Sequence, residues 1–261
     1  DVRSFLRQSA ALEYMTPELA EAVTLIPRAG NTLSQLTARC LFTFRTDKGH
    51  YRYHPLFREY LKYKALQEDG VSAFQQTQLR AAHALERAGD YQASVELLLT
   101  VREENDAVRL LASCGERWLD SCTTQTIARW AECFSSEDPR LRGWARLLLG
   151  CVAFREARHD EAIEHFESCV RTFDELADAP ARYQALSALE RALYWSGQYQ
   201  LAASVCCQAL ANTVVPLHTV HSLISRAAAL IQSGDWAPAK QCLQEARSLP
   251  DSVEHTEHAR L

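Results

Sequence analysis

The stretch HYRYHPLFREYLKYKAL, His50 to Leu66, gathers aromatic rings and cations around one His-Pro step. A proline two residues after an aromatic run opens a helix, so His54 stands near that helix's N-cap. Backbone N–H groups are unpaired there, so an anion is welcome beside that polar side chain. A plain helix cap, or a histidine satisfied inside a core, is the alternative for the same residue.

The other reactive residues form weaker patterns. His218-x-x-His221 sets two imidazoles on one helical face, but no Asp, Glu or Cys stands at supporting spacing for a metal. His255 and His258, in EHTEHARL, match neither H-E-x-x-H nor its inverse. Glu103-Glu104 reads as a solvated helix end. No G-x-S-x-G nucleophile motif occurs, nor a G-x-x-x-x-G-K-[ST] loop, nor any Gly-Lys pair, so the chain alone is expected neither to cradle a triphosphate nor to act as an enzyme. No catalytic residue and no metal site are assigned.

Nine cysteines, at 40, 114, 122, 133, 151, 169, 206, 207 and 242, include no C-x-x-C pair. They read as buried thiols serving as small hydrophobes in a reducing cytoplasm. The vicinal pair Cys206-Cys207 is the one to test for redox sensing.

The 261 residues, 47% hydrophobic, can bury one large core or two smaller ones. Apolar runs such as RLLLGCVAF, Arg146 to Phe154, fall short of the roughly 20 residues a membrane span needs, and no membrane partner is expected. The chain opens at DVRSFLRQ with neither an initiator Met nor an apolar leader, and so reads as a piece of something longer. Its net charge of −5 is unevenly spread: residues 1–64 hold ten Lys and Arg against six Asp and Glu, and the remainder is acidic. Two parts with different tasks are expected.

The acidic part repeats. Gly89-Asp90-Tyr91 leads into QASVELLL, Ala157-Arg158-His159 into DEAIEHFESCV, Gly197-Gln198-Tyr199 into QLAASVCCQAL, and Gly234-Asp235-Trp236 into APAKQCLQEA. With a degenerate copy at Cys122, the anchors are spaced by 33, 35, 40 and 37 residues. These periods bracket the roughly 34-residue tetratricopeptide unit. The small anchor permits a tight turn, the aromatic two residues on is expected to plug between neighbouring hairpins, and Ala162, Ala202 and Ala239 let helices approach. Pro139, Pro180 and Pro216 suit helix starts. Trp130, Trp144, Trp195 and Trp236 are expected to pack between repeats. Stacked hairpins make a continuous core with a concave binding wall.

The basic part is patterned differently. Thr16-Pro17-Glu18 starts a helix through ELAEAVTLI, and a second follows Asn31 through Leu33, Leu36 and Cys40. The period then shortens: LFTFRT and HYRY are strand-like runs joined at Asp47-Lys48-Gly49. Helix, helix and hairpin make a winged helix. Its wing carries Arg45, Lys48, His50 and Arg52, but the helix TLSQLTARC offers little to contact phosphates or read bases, so no direct nucleic-acid contact is expected. The chain should thus be mainly all-α: a winged-helix module with one β-hairpin over 1–66, a linking helical arm over 67–135, and tetratricopeptide-like superhelical repeats over 136–261.

The segment LSQLTARCLFTFRTDKGHYRYHPLFREYLKYKAL closely resembles the winged helix of MalT-like, LuxR-family ATP-dependent transcriptional regulators, which belong to the STAND class of signal-transducing ATPases. LRAAHALERAGDYQASVELLLTVREENDAVRLLASCGERWL resembles their linking arm, and the rest the start of their repeat sensor. The resemblance implies a bacterial cytoplasmic regulator in which the winged helix folds back on a nucleotide-binding domain. It also implies that the histidine of the Tyr-His-Pro string, here His54, contacts the β-phosphate of ADP. ADP or ATP with Mg belongs to the parent protein, since the phosphate loop is absent here. The implied partners are that parent domain and, on the repeat surface, a small-molecule inducer or regulatory protein, with this segment itself a monomer. A repeat scaffold that docks proteins without nucleotide gating is the alternative.

Overall fold

The computed structural model describes residues 2–39, 41–114, 122–134, 137–211, 213 and 215–249. Among them are fourteen helices and one two-stranded antiparallel sheet, in two compact units, 1–121 and 122–261. His255, His258 and Cys40 lie outside the described residues.

The first unit begins with a helix the sequence reading did not anticipate, α1 (Val2–Ser9). Eight residues alone make a marginal helix. Tertiary contacts hold this one: Phe5 is buried, and Arg7 reaches Asp69 at 2.7 and 2.8 Å and Glu68 at 2.7 Å. Next comes α2 (Pro17–Thr24), capped as expected by Thr16, whose hydroxyl accepts from the Leu19 N–H at 3.2 Å. A left-handed Leu25 ends it. A second left-handed residue, Arg28, opens α3 (Ala29–Ala38), ahead of the expected start at Asn31.

Strands β1 (Thr43–Arg45) and β2 (Tyr51–Tyr53) pair Thr43 with Tyr53 and Arg45 with Tyr51. Met15 bridges to Tyr51 through two 2.8 Å backbone hydrogen bonds, so the segment before α2 extends the hairpin by one bridge. Helix α4 (Pro55–Glu68) follows, then α5 (Val71–Arg87), α6 (Tyr91–Thr100) and α7 (Glu104–Cys114). One core runs through Phe5, Leu12, Met15, Leu33, Tyr53 and Leu61, and continues past Leu66 into Phe74 and Leu85 of α5. The winged helix is thus closed by the first helix of the arm.

The second unit holds α8 (Thr124–Cys133), α9 (Pro139–Arg155), α10 (His159–Glu175), α11 (Ala179–Trp195), α12 (Tyr199–Ala211), α13 (Pro216–Ser233) and α14 (Trp236–Ser248). Each packs on its neighbours in the chain, and α11 also touches α9 and α13, which is solenoid stacking of hairpins α9–α10, α11–α12 and α13–α14. The prolines fall in the first turns of α9, α11 and α13, as their missing N–H groups favour. Arg140 at the start of α9 pairs with Asp178, the N-cap of α11, at 2.8 Å. Ala162, Ala202 and Ala239 are buried at the helix contacts, as their size suggests.

Candidate functional site

His54 closes the hairpin and opens α4. Its backbone N–H donates to the Phe42 carbonyl at 2.7 Å, and its carbonyl accepts from the Arg58 N–H at 2.9 Å, so its main chain is held on both sides. Pro55 at the first helical position has no N–H, and the next two N–H groups lie at the helix start beyond the reach of intrahelical bonding. The imidazole is exposed and makes no cap hydrogen bond. Neither bland role fits: the side chain is not a cap, and it is not in a core.

An apolar strip begins beside it. Leu56 is 77% exposed, Tyr60 53% and Tyr63 55%, on one face of α4 at i, i+4 and i+7 spacing. Phe42, 64% exposed, rests on Phe57 with ring centroids 5.4 Å apart. The inner face of α4 buries Leu61 and Ala65, and Phe57 meets buried Tyr53 edge-on at 5.6 Å. The helix therefore has a core face and an unpartnered aromatic face, with His54 at the head of the second.

The basic wing residues are mostly occupied within the unit. Arg45 lies 5.8 Å from the Tyr51 ring centroid, and Arg52 pairs with Glu13. His50 stacks on Tyr14 at 4.7 Å, while the Tyr14 hydroxyl donates to Asp90 at 2.8 Å. These side chains are committed to building the module.

In the second unit the tryptophans divide. Trp130 and Trp144 are fully buried, whereas Trp195 and Trp236 are 65% and 67% exposed. The expectation of packing fails for these two because they sit at the hairpin turns, where no helix among the described residues covers them. The turn aromatics also differ from expectation: His159 meets Phe154 at 5.5 Å and Tyr199 meets Tyr194 at 5.4 Å, each inside its own hairpin. A ring at the first residue of a helix folds back on the end of the helix before it, since the tight turn brings those two within reach.

His218 and His221 form no metal cluster; among the described residues no three His, Cys, Asp or Glu side chains gather as ligands. His218 instead stacks on Tyr183 at 4.0 Å, nearly parallel, and the Tyr183 hydroxyl donates to the His218 carbonyl at 3.2 Å. Burial, with His221 nearby, holds the His218 imidazole below its ordinary value. Cys206 is buried and its thiol is pushed up by desolvation, while Cys207 is exposed and bonds to the Ala203 carbonyl at 3.3 Å. Among the described residues no helix is long and apolar enough to cross a membrane.

Comparison with known proteins adds the following. The family model of the MalT winged helix domain matches residues 1–73. Among curated proteins none matches. A crystal structure of a Signal Transduction ATPase with Numerous Domains (STAND) protein with a tetratricopeptide repeat sensor, from Pyrococcus horikoshii, is similar over 98% of this chain with a TM-score of 0.55 and 11% identity. This chain spans 45% of that structure's length. A structure of BtubC from P. vanneervenii aligns with 96% of this chain and 92% of its own at a TM-score of 0.42 and 14% identity. The first likeness is one of fold: winged helix followed by helical solenoid.

Proposed function

We propose, from the match of residues 1–73 to the MalT winged helix domain, that this chain is the regulatory and sensing segment of an ATP-dependent transcriptional activator. In this reading the winged helix gates a nucleotide-binding domain of the parent protein, and the repeats receive an inducer or regulatory protein. The chain is not itself an enzyme. ADP or ATP with Mg is held mainly by the parent's own phosphate loop, in the cytoplasm, and this segment does not contact DNA.

The observation that carries the proposal is the presentation of His54. A solvent-facing imidazole without a cap bond, on a main chain fixed at both sides, stands at a helix N-terminus beside exposed Leu56, Tyr60 and Phe42. The exposed strip suits docking against another domain, and the imidazole and helix start then face that domain's ligand. An N–H donor there reaches a phosphate without supplying the whole compensating charge. The repeats support the sensing half by architecture alone, since stacked hairpins offer an extended wall. The test is the ADP dissociation rate of the parent protein with and without His54→Ala. Faster release supports gating by this residue; an unaltered rate removes it.

A further inference from the structure

A second feature of the first unit plays no part in that reading. A cleft of about 320 Å3 opens beside the wing, with Phe44, Tyr53 and Pro55 as its apolar wall. Its charged lining is Arg52 and Arg58 with Glu13 and Glu59. Three of these four are already paired. The Arg52 guanidinium donates to the Glu13 carboxylate, and Glu59 accepts from Lys62 at 2.8 Å.

Arg58 is left over. Its Nε donates to the Ala10 carbonyl at 3.1 Å, which fixes the guanidinium plane, and no carboxylate among the described residues reaches its two terminal nitrogens. The group is half-buried, and that desolvation pulls its pKa down against the opposing fields of Glu13 and Glu59. A guanidinium in this state, stripped of part of its water and held by one nitrogen, presents a preorganised two-pronged donor. Phe44 adds an apolar surface that is 46% exposed although it lies on a strand.

We propose that this cleft binds a small organic anion, a carboxylate or phosphate monoester. Its charge is taken by the terminal nitrogens of Arg58, and its apolar body lies against Phe44 and Pro55. The volume is at the lower end of the roughly 300–1,000 Å3 of small-molecule sites, which suits a body of about one aromatic ring. Burial of apolar area against Phe44 and a charge-assisted pair at Arg58 are the two sources of affinity.

The probes are benzoate, phenyl phosphate and uncharged benzamide, titrated into the 261-residue chain and followed by amide chemical shifts and calorimetry. Expected is saturable binding of at least one anion, with shifts centred on residues 44, 52–54 and 58, and at least about tenfold weaker binding of benzamide, the loss of one charge-assisted contact. Benzoate and phenyl phosphate, compared with each other, identify which acid the site prefers. Arg58→Gln should weaken the anion about tenfold or more and Phe44→Ala severalfold, whereas Glu59→Gln should tighten it by removing a like charge. If Arg58→Gln does not fold, Phe44→Ala decides, because that exposed ring is not needed for the core. Absence of saturable binding by both anions, equal binding of benzamide, or indifference to Phe44→Ala overturns the proposal. None of these outcomes bears on His54, since no nucleotide is present.

Discussion

Phe166 of α10 fills the space that a side chain on Gly150 of α9 would need; a Cβ there would stand inside the van der Waals surface of the ring. Two turns earlier the relation repeats, with a Cβ on Gly143 only 2.7 Å from Cε1 of Phe173. Both rings are fully buried. The antiparallel pair is thus keyed by two phenylalanines seated on two glycines seven residues apart, which brings the helices of this hairpin closer than side chains would allow.

Gly150→Ala should therefore destabilise the protein despite improving helix propensity. Relief of glycine's entropy gains about 1 kcal/mol, while forcing the Phe166 ring aside costs about 1–3 kcal/mol. The net expectation is a loss of up to about 2 kcal/mol by urea denaturation. Adding Phe166→Leu should recover part of it, because the two changes couple through one contact. A neutral or stabilising Gly150→Ala would mean that the helices separate freely.

The buried Ser9–Tyr53 contact gives an asymmetric pair of mutants. Ser9 Oγ donates to the Phe5 carbonyl at 2.7 Å and so accepts from the Tyr53 hydroxyl, also at 2.7 Å. Tyr53→Phe removes a donor and leaves the serine proton satisfied, a loss of about 1 kcal/mol. Ser9→Ala strands a buried phenol, whose desolvation costs about 1–3 kcal/mol. Thermal unfolding of both variants should rank Ser9→Ala as the more damaging; the reverse order would contradict this donor assignment.

His218 predicts acid sensitivity in the repeats. Burial lowers its folded pKa from the ordinary 6.5, so the unfolded chain binds the proton more readily. The contribution to stability is fully present above the unfolded value and is lost as pH falls through the depressed folded value. The urea midpoint should drop between about pH 7.5 and about pH 5, and drop less in His218→Phe, which keeps a ring on Tyr183 but carries no titratable group. Equal pH dependence of the two proteins would assign the effect elsewhere.

What the sequence disclosed is local. Thr16 as a cap, proline at the helix starts and the small turn anchors act through bonds within a few residues, and each stands where its chemistry indicates. α1 was hidden because its support is remote: Arg7 finds Asp69 sixty-two residues away. The exposure of Trp195 and Trp236 was hidden for a related reason, since helical period gives a residue's spacing but not whether a neighbour covers it. Arg58 stood in plain view within the His-Pro-Leu-Phe-Arg string. Its unpaired nitrogens became visible only once Arg52 had taken Glu13 and Lys62 had taken Glu59.

The thiols should report burial directly. Cys133 and Cys207 are exposed, whereas Cys169 and Cys206 are buried with their pKa values raised by desolvation. Thiolate is the species that attacks an alkylating reagent, so Cys133 and Cys207 should be modified in the folded protein while Cys169 and Cys206 react only after unfolding. Mass spectrometry of the alkylated peptides reads this out. Rapid joint oxidation of Cys206 and Cys207 under mild peroxide would restore a redox role to the vicinal pair.

His54→Ala separates gating from structure in one variant. The imidazole is exposed and makes no cap bond, so its removal should shift the stability of this chain by no more than about 0.5 kcal/mol, the usual range for such surface sites. Under the proposed gating, the same change in the parent protein would remove one hydrogen bond to a charged phosphate, about 1.5–3 kcal/mol. That corresponds to ADP retention weaker by about 10- to 150-fold. The same proposal has ADP and inducer favouring opposite states, so inducer-independent activation and apparent inducer affinity should rise together by linkage. A lowered melting temperature with unchanged ADP release would instead make His54 a structural residue, and the gating assignment would fall with it.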